Sequence, residues 1–271
     1  MRVLDLFSGI GGFSLGLERA GWQTIAFCEI DEHCRAVLRK HWPSVPVLQD
    51  VRSAEFPAAD IICGGFPCQD ISYAGKRTGI TGERSGLFWQ MLRAVRLVRP
   101  RYVIVENVAA LSTDGMDRVL GTMADERYDA EWDCISARDL GAPHGRPRMW
   151  IAFADTDREQ WTPGFDQGVR RREREPQEED AQAHPNTHGS RKLQPFGLFG
   201  YVRRRLADGA TRAFWECDWQ TKFEALRGMD DGVPTRLDRH RDSRSVGRLG
   251  NAVLHQIPWL IAEAIIAENR P

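Results

Sequence analysis

Short apolar runs alternate with stretches of helical periodicity along the first 154 residues. Val3 to Phe7 is an apolar run ending at Ser8-Gly9, and Phe13 to Ala20 then reads as a helix stopped by Gly21. Thr24 to Cys28 is strand-like, Glu32 to His41 has helical composition and stops before Pro43, and Ile61 to Gly64 is a third buried strand. Leu87 to Val98 reads as a helix ended by Pro100, and Tyr102 to Val105 as a strand closed by Glu106-Asn107. Met116 to Glu126 follows as a helix and Met149 to Ala154 as a strand. The tail from Gln256 to Asn269 reads as an amphipathic helix. Strands and helices at this spacing predict an α/β fold, a doubly wound, mostly parallel sheet covered on both faces. Ligands of such sheets sit beyond the carboxyl ends of the strands, so polar motifs that follow strands should converge there.

The pattern breaks after Ala154. The stretch 155–194 is crowded with charge and carries only Val169 and Leu193 as larger aliphatic residues, too few for a core of its own. The chain therefore divides into a domain over 1–154, a short, small and irregular lobe over 155–225, and a segment over 226–271 that returns to the domain.

The formal net charge of −1 shows no basic excess. That weighs lightly against a nucleic-acid partner, because charge can be gathered on one face. Arg203, Arg204 and Arg205 form one such run, and Arg236, Arg239, Arg241, Arg244 and Arg248 another. No apolar run reaches membrane-spanning length, and Met1-Arg2-Val3 enters a strand without a signal-peptide pattern, so a cytoplasmic protein is expected. The cysteines Cys28, Cys34, Cys63, Cys68, Cys134 and Cys217 form no C-x-x-C pair and no zinc-ligand spacing, so no metal is expected. All but Cys68 read as reduced core thiols.

Candidate chemistry lies at the strand ends. Asp5-Leu6-Phe7-Ser8-Gly9-Ile10-Gly11-Gly12-Phe13 joins a strand to a helix, and its glycines let a ligand approach the backbone. Glu29, at the end of the second strand, suits ribose hydroxyls. The spacing is neither G-x-G-x-x-G nor a Walker motif, which leaves a nucleoside-containing cofactor or a tight structural turn. Asp50 could accept from an adenine amino group with Val51 against the ring, or simply cap a turn. Gly64-Gly65-Phe66-Pro67-Cys68-Gln69 presents a cysteine on a loop stiffened by Pro67, where a thiolate can react. Glu106 in Glu106-Asn107-Val108 reads either as a buried proton donor or as a salt-bridged loop residue. In His144-Gly145-Arg146-Pro147-Arg148 the two arginines suit a carbonyl oxygen, a phosphate or a carboxylate.

Taken in order, D-L-F-S-G-I-G-G-F, Glu29, Asp50, G-F-P-C-Q, E-N-V, R-x-R and Gly250-Asn251-Ala252-Val253 resemble the cytosine-C5 DNA methyltransferase family of bacterial or phage type, over about residues 1–154 and 226–270. The resemblance implies an S-adenosyl-L-methionine cofactor held by Asp5, Phe7, Ser8, Gly9, Gly11, Gly12, Glu29, Ile30, Asp50, Val51, Pro67, Leu87, Asn251 and Val253. It implies Cys68 as the nucleophile at cytosine C6, Glu106 as the proton donor to N3, Arg148 on the O2 carbonyl and Arg146 as loop support. The region 155–225 takes the place of target recognition. Double-stranded DNA is the implied partner, with Gln69, Ser72, Arg203, Arg204, Arg205 and Arg244 as contacts. A monomer paired with a cognate restriction enzyme or acting alone is expected. A tRNA-cytosine methyltransferase and an inactive DNA-binding relative share the pattern and stay open. Two substitutions depart from it: His144 stands where the family has Gln, and Ile30 where it often has an aromatic.

Overall fold

A computed structural model describes residues 1–67, 86–113, 115–142, 145–157, 197–210, 229–230, 233–234 and 253–269. The strands are β1 (Arg2–Leu6), β2 (Gln23–Cys28), β3 (Val47–Leu48), β4 (Ile61–Gly64), β5 (Tyr102–Val108), β6 (Tyr128–Ser136), β7 (Pro147–Asp155), β8 (Met229–Asp230) and β9 (Val233–Pro234). The helices are α1 (Gly12–Arg19), α2 (Glu32–His41), α3 (Gly86–Val98), α4 (Met116–Asp125), α5 (Leu198–Ala207) and α6 (Gln256–Glu268), with 3-10 turns at Ala109–Ser112 and Ala137–Leu140.

Seven strands form one sheet in the order β3-β2-β1-β4-β5-β7-β6, and β8 pairs with β9 apart from it. The pairs β1–β2, β1–β4, β2–β3 and β4–β5 are parallel. β7 runs antiparallel to both β5 and β6. The inversion changes how one motif reaches the ligand edge. The Arg146-Pro147-Arg148 motif precedes β7, yet Arg148 pairs in register with Val108 at the carboxyl end of β5. The inverted strand delivers it to the ligand edge.

Alternation along the strands splits the core in two. Leu4, Leu6, Ile62, Val103 and Val105 join Phe88, Met91 and Leu92 of α3 and Val119 and Met123 of α4 on one face. Val3, Ile61, Tyr102 and Ile104 join Phe13 and Leu17 of α1, Phe199 and Val202 of α5, and the apolar residues of α6 on the other. Helix α6 differs from the amphipathic reading. It lies against both α1 and α5, and Ile257, Leu260, Ile261, Ala264 and Ile265 are all buried. Two flanking helices leave it little face for water.

Helix α5 corrects the view of 155–225 as wholly irregular. Leu198, Phe199, Val202 and Leu206 are buried in the same core as α6, so part of that region belongs to the main domain. Among the described residues no helix is long and apolar enough to cross a membrane. No described cluster of His, Cys, Asp and Glu could hold a metal ion.

Candidate active site

The strand order reverses between β1 and β4, which are neighbours although α1, β2, α2 and β3 lie between them in sequence. A crevice opens outside the carboxyl ends of strands at such a point. After β1 the chain turns through Phe7 and Gly9, both at φ 53°, and Gly11 at φ 88°. The turn closes by Gly11 N–H donating to Ser8 O at 2.9 Å. Ser8 Oγ donates to Asp5 O at 2.6 Å and accepts Cys28 N–H at 3.2 Å. Glu29 reaches back to the same turn: Oε2 accepts Gly9 N–H at 2.7 Å and Oε1 accepts Asp31 N–H at 2.8 Å. A Cβ at Gly9 would meet nothing within 4 Å, so its positive φ, rather than crowding, favours glycine there.

Several residues expected at the cofactor also serve the fold. Asp5 is wholly buried, its Oδ2 accepts the Ser14 hydroxyl of α1 at 2.7 Å, and burial pushes its carboxyl up to about 7. Gly11 lies against Trp42, and a Cβ at Gly12 would stand 2.6 Å from Val253 O. Those glycines admit neighbouring chain, and Val253 brings the C-terminal segment onto α1. Val51 is buried in the core, and Asp50 binds Arg52 through Oδ2–Nη2 at 2.7 Å while accepting its N–H at 3.0 Å, the capping arrangement. Phe7 and Leu87 are half-buried against that core, Pro67 is exposed, and Ile30 is 62% exposed.

At the reacting end, Glu106 lies within β5 rather than after it, because the strand continues to Val108. Its Oε1 pairs with Arg148 Nε at 2.9 Å, and both side chains are largely buried. Burial raises the Glu106 carboxyl above the usual range, against the pull of Arg148 and Arg146. Burial and Arg148 both lower the Arg146 guanidinium. The loop leaving β4 presses on this acid: a Cβ at Gly65 would lie 2.9 Å from Glu106 Oε2. Asn107 Nδ2 donates to Phe66 O at 3.2 Å, while its Oδ1 accepts Val108 N–H at 2.8 Å. The sequence marks Asn107 only as a strand end, and the tether to Phe66 appears only in the fold.

Cys68, Gln69, Ser72, His144, Arg244 and Asn251 lie outside the described residues. Cys28 and Cys63 are buried, and burial pushes the Cys28 thiol up to about 12 and the Cys63 thiol well above its usual value, which disfavours the thiolate at both.

Two of the three arginines expected at phosphates have other tasks. Arg203 holds Asp133 with Nε and Nη2, Asp139 with Nη1 at 3.0 Å and Cys134 O at 2.7 Å, fixing α5 to β6. Arg205 binds Glu263 of α6 at 3.1 Å. Arg204 is exposed. In sequence the run of three suggests one DNA-facing surface, but helical spacing turns its members in different directions. Arg35, which sequence reasoning missed, is buried under the Glu29–Ile30 turn. Its i,i+3 spacing from Glu32 was the available signal.

Residues 1–194 match the model of the C-5 cytosine-specific DNA methylase family. The type II methyltransferase M2.BsuMI of Bacillus subtilis (strain 168) is 36% identical over 158 residues, which are 55% of this chain and 41% of that protein. The type II methyltransferase M.Eco47II of Escherichia coli is 36% identical over 165 residues, 57% of this chain and 40% of that protein. The chain thus matches less than half the length of these relatives. The crystal structure of S. pombe Dnmt2 methyltransferase superposes with a TM-score of 0.50 at 20% identity, covering 59% of this chain and 53% of that one, a likeness of fold. With the family model spanning more than half of its length, this chain belongs to the C-5 cytosine-specific DNA methylase family.

Proposed function

We propose that the chain transfers a methyl group from S-adenosyl-L-methionine to C5 of a cytosine flipped out of double-stranded DNA. One observation carries this reading. Glu106, an acid raised by burial, is held by Arg148 against the loop that leads into Cys68. Cytosine C5 is a poor nucleophile until a group adds at C6, so the chemistry needs a thiolate, an acid and a carbonyl clamp together. In this proposal Cys68 adds to C6 as Glu106 gives its proton to N3 and Arg148 turns to the O2 carbonyl; once C5 carries the methyl group, its proton leaves to a base, the Cys68–C6 bond breaks and N3 returns its proton to Glu106. Arg146 supports the loop, and Asn107 holds its entry through Phe66 O. A base inside a duplex is out of reach of such a site, which is why flipping is required.

The residues at the turn fit an adenosyl group. Glu29 keeps acceptor capacity beyond its two backbone donors, and the exposed Ile30 offers an apolar surface beside it. The bound cofactor supplies an electrophilic methyl. Glu29 would hold the ribose hydroxyls, and Asp50, which now pairs with Arg52, would accept from the adenine amino group. Target recognition is assigned to the parts of 155–225 outside α5, with Gln69, Ser72, Arg204 and Arg244 as candidates for DNA contact. Monomeric action, alone or beside a cognate restriction enzyme, completes the proposal and rests on the family resemblance.

Duplex DNA carrying 5-fluorocytosine at the recognised site should become covalently attached in the presence of the cofactor, because fluorine cannot leave as a proton. Cys68→Ser should abolish the adduct. An adduct that persists in the variant would remove Cys68 from the mechanism. Labelling of tRNA and not DNA by radioactive cofactor would overturn the DNA substrate.

A further inference from the structure

Arg35 of α2 has a side chain only 7% exposed, an uncommon place for a guanidinium. Its Nη1 donates to two consecutive carbonyl oxygens, Glu29 O at 3.1 Å and Ile30 O at 2.6 Å, while Nη2 pairs with Glu32. Those carbonyls belong to the turn between β2 and α2. The same turn orients the Glu29 carboxylate through Asp31 N–H on Oε1, and Asp31 caps α2 by accepting the N–H groups of His33 and Cys34. From the other side the Gly9 N–H takes Oε2. The direction of the Glu29 carboxylate therefore follows the path of residues 29–31, and Arg35 fixes that path from within.

We infer that Arg35 is a positioning residue for the nucleoside end of the cofactor site, acting through Glu29. The inference rests on the proposed adenosyl cofactor and adds to it a residue that touches no ligand. A planar guanidinium spans two carbonyls and a carboxylate at once, whereas a lysine ammonium offers a single point charge. Without Arg35 the two carbonyls lose their shared donor and the turn gains freedom that ligand binding must remove.

S-adenosylhomocysteine is the probe, because it presents the same nucleoside without reacting. Its dissociation constant is measured calorimetrically for the unaltered chain, Arg35→Met, Glu29→Ala and the double variant, with the unfolding midpoint of each chain measured without ligand. Arg35→Met should weaken binding about tenfold, as expected for lost hydrogen bonds to a charged group. On the Glu29→Ala background the same change should cost less than about twofold, because coupled residues are not additive. Arg35→Lys should recover part of the loss, and it takes over the cycle if Arg35→Met does not fold. Equal losses on both backgrounds would show Arg35 to be a fold-stabilising residue only and overturn the inference, leaving the proposed function intact. Failure of the unaltered chain to bind the probe would overturn both.

Discussion

The two halves of the ligand edge are built differently. The half around β1–β3 works mostly on main-chain groups: Glu29 ties the Gly9 and Asp31 N–H groups and Ser8 accepts the Cys28 N–H, while Ser14 and Asp5 add one buried side-chain pair. The half around β4, β5 and β7 works through side chains, with Glu106 and Arg148 facing each other across inverted strands. A main-chain site offers shape to a ligand whose groups are always the same. A carboxyl and a guanidinium that face each other away from water are placed for a step in which charge moves. Binding and chemistry should therefore separate under mutation.

The largest effect should come from Glu106→Gln. Turnover should fall about 100- to 10,000-fold, the usual worth of a positioned acid, while binding of S-adenosylhomocysteine stays within about twofold. Equal loss of both would erase the distinction between the halves.

Asp5 sharpens the comparison through pH. Its folded pKa of about 7 lies above the ordinary carboxyl value of 3.8, so the fold favours the protonated acid. That contribution is complete below the ordinary value and is lost as pH rises towards the folded one. Asp5→Asn cannot ionise. Urea unfolding should show the unaltered chain losing up to roughly 4 kcal/mol relative to this variant between about pH 4 and pH 8. A flat difference would mean that Asp5 is ionised in the fold, with a partner other than Ser14.

Arg203→Ala should destabilise the chain by about 1–2 kcal/mol, a value discounted for its partly exposed ion pairs. The salt dependence of DNA binding should not change, whereas loss of a phosphate contact would reduce the slope by about 0.9. A reduced slope would return Arg203 to the DNA surface. The smallest effect belongs to Arg52→Ala, less than about 1 kcal/mol in stability, because its pair with Asp50 is solvent-exposed.

The strands and helices of the first half could be read closely, because each carries its own punctuation. Glu32–His41 has Asp31 to cap it and Trp42-Pro43 to end it, and α2 occupies those residues. Strand β6 passed unread, because Tyr128–Ser136 is broken by Asp129, Glu131 and Asp133, polar residues suited to a sheet edge. Helix α5 passed unread because its apolar face, Leu198, Phe199, Val202 and Leu206, is interleaved with arginines and follows a charged stretch. Among site residues, Glu106 and Arg148 were legible as chemical types, but their contact was not. More than forty residues separate them in the chain, and only the sheet makes them neighbours.

The sequence by itself determined the alternation of strands and helices, the glycine turn after β1 and the kinds of group gathered at strand ends, since these follow from local periodicity and backbone freedom. Only the tertiary structure decided that β7 runs backwards and brings Arg148 to Glu106. It alone sent Asp5, Gly11 and Gly12 into packing and spent Arg203 and Arg205 on helix α5. The physical reason is that a side chain's task depends on which partner reaches it first in a close-packed interior, and that partner is set by contacts distant in the chain.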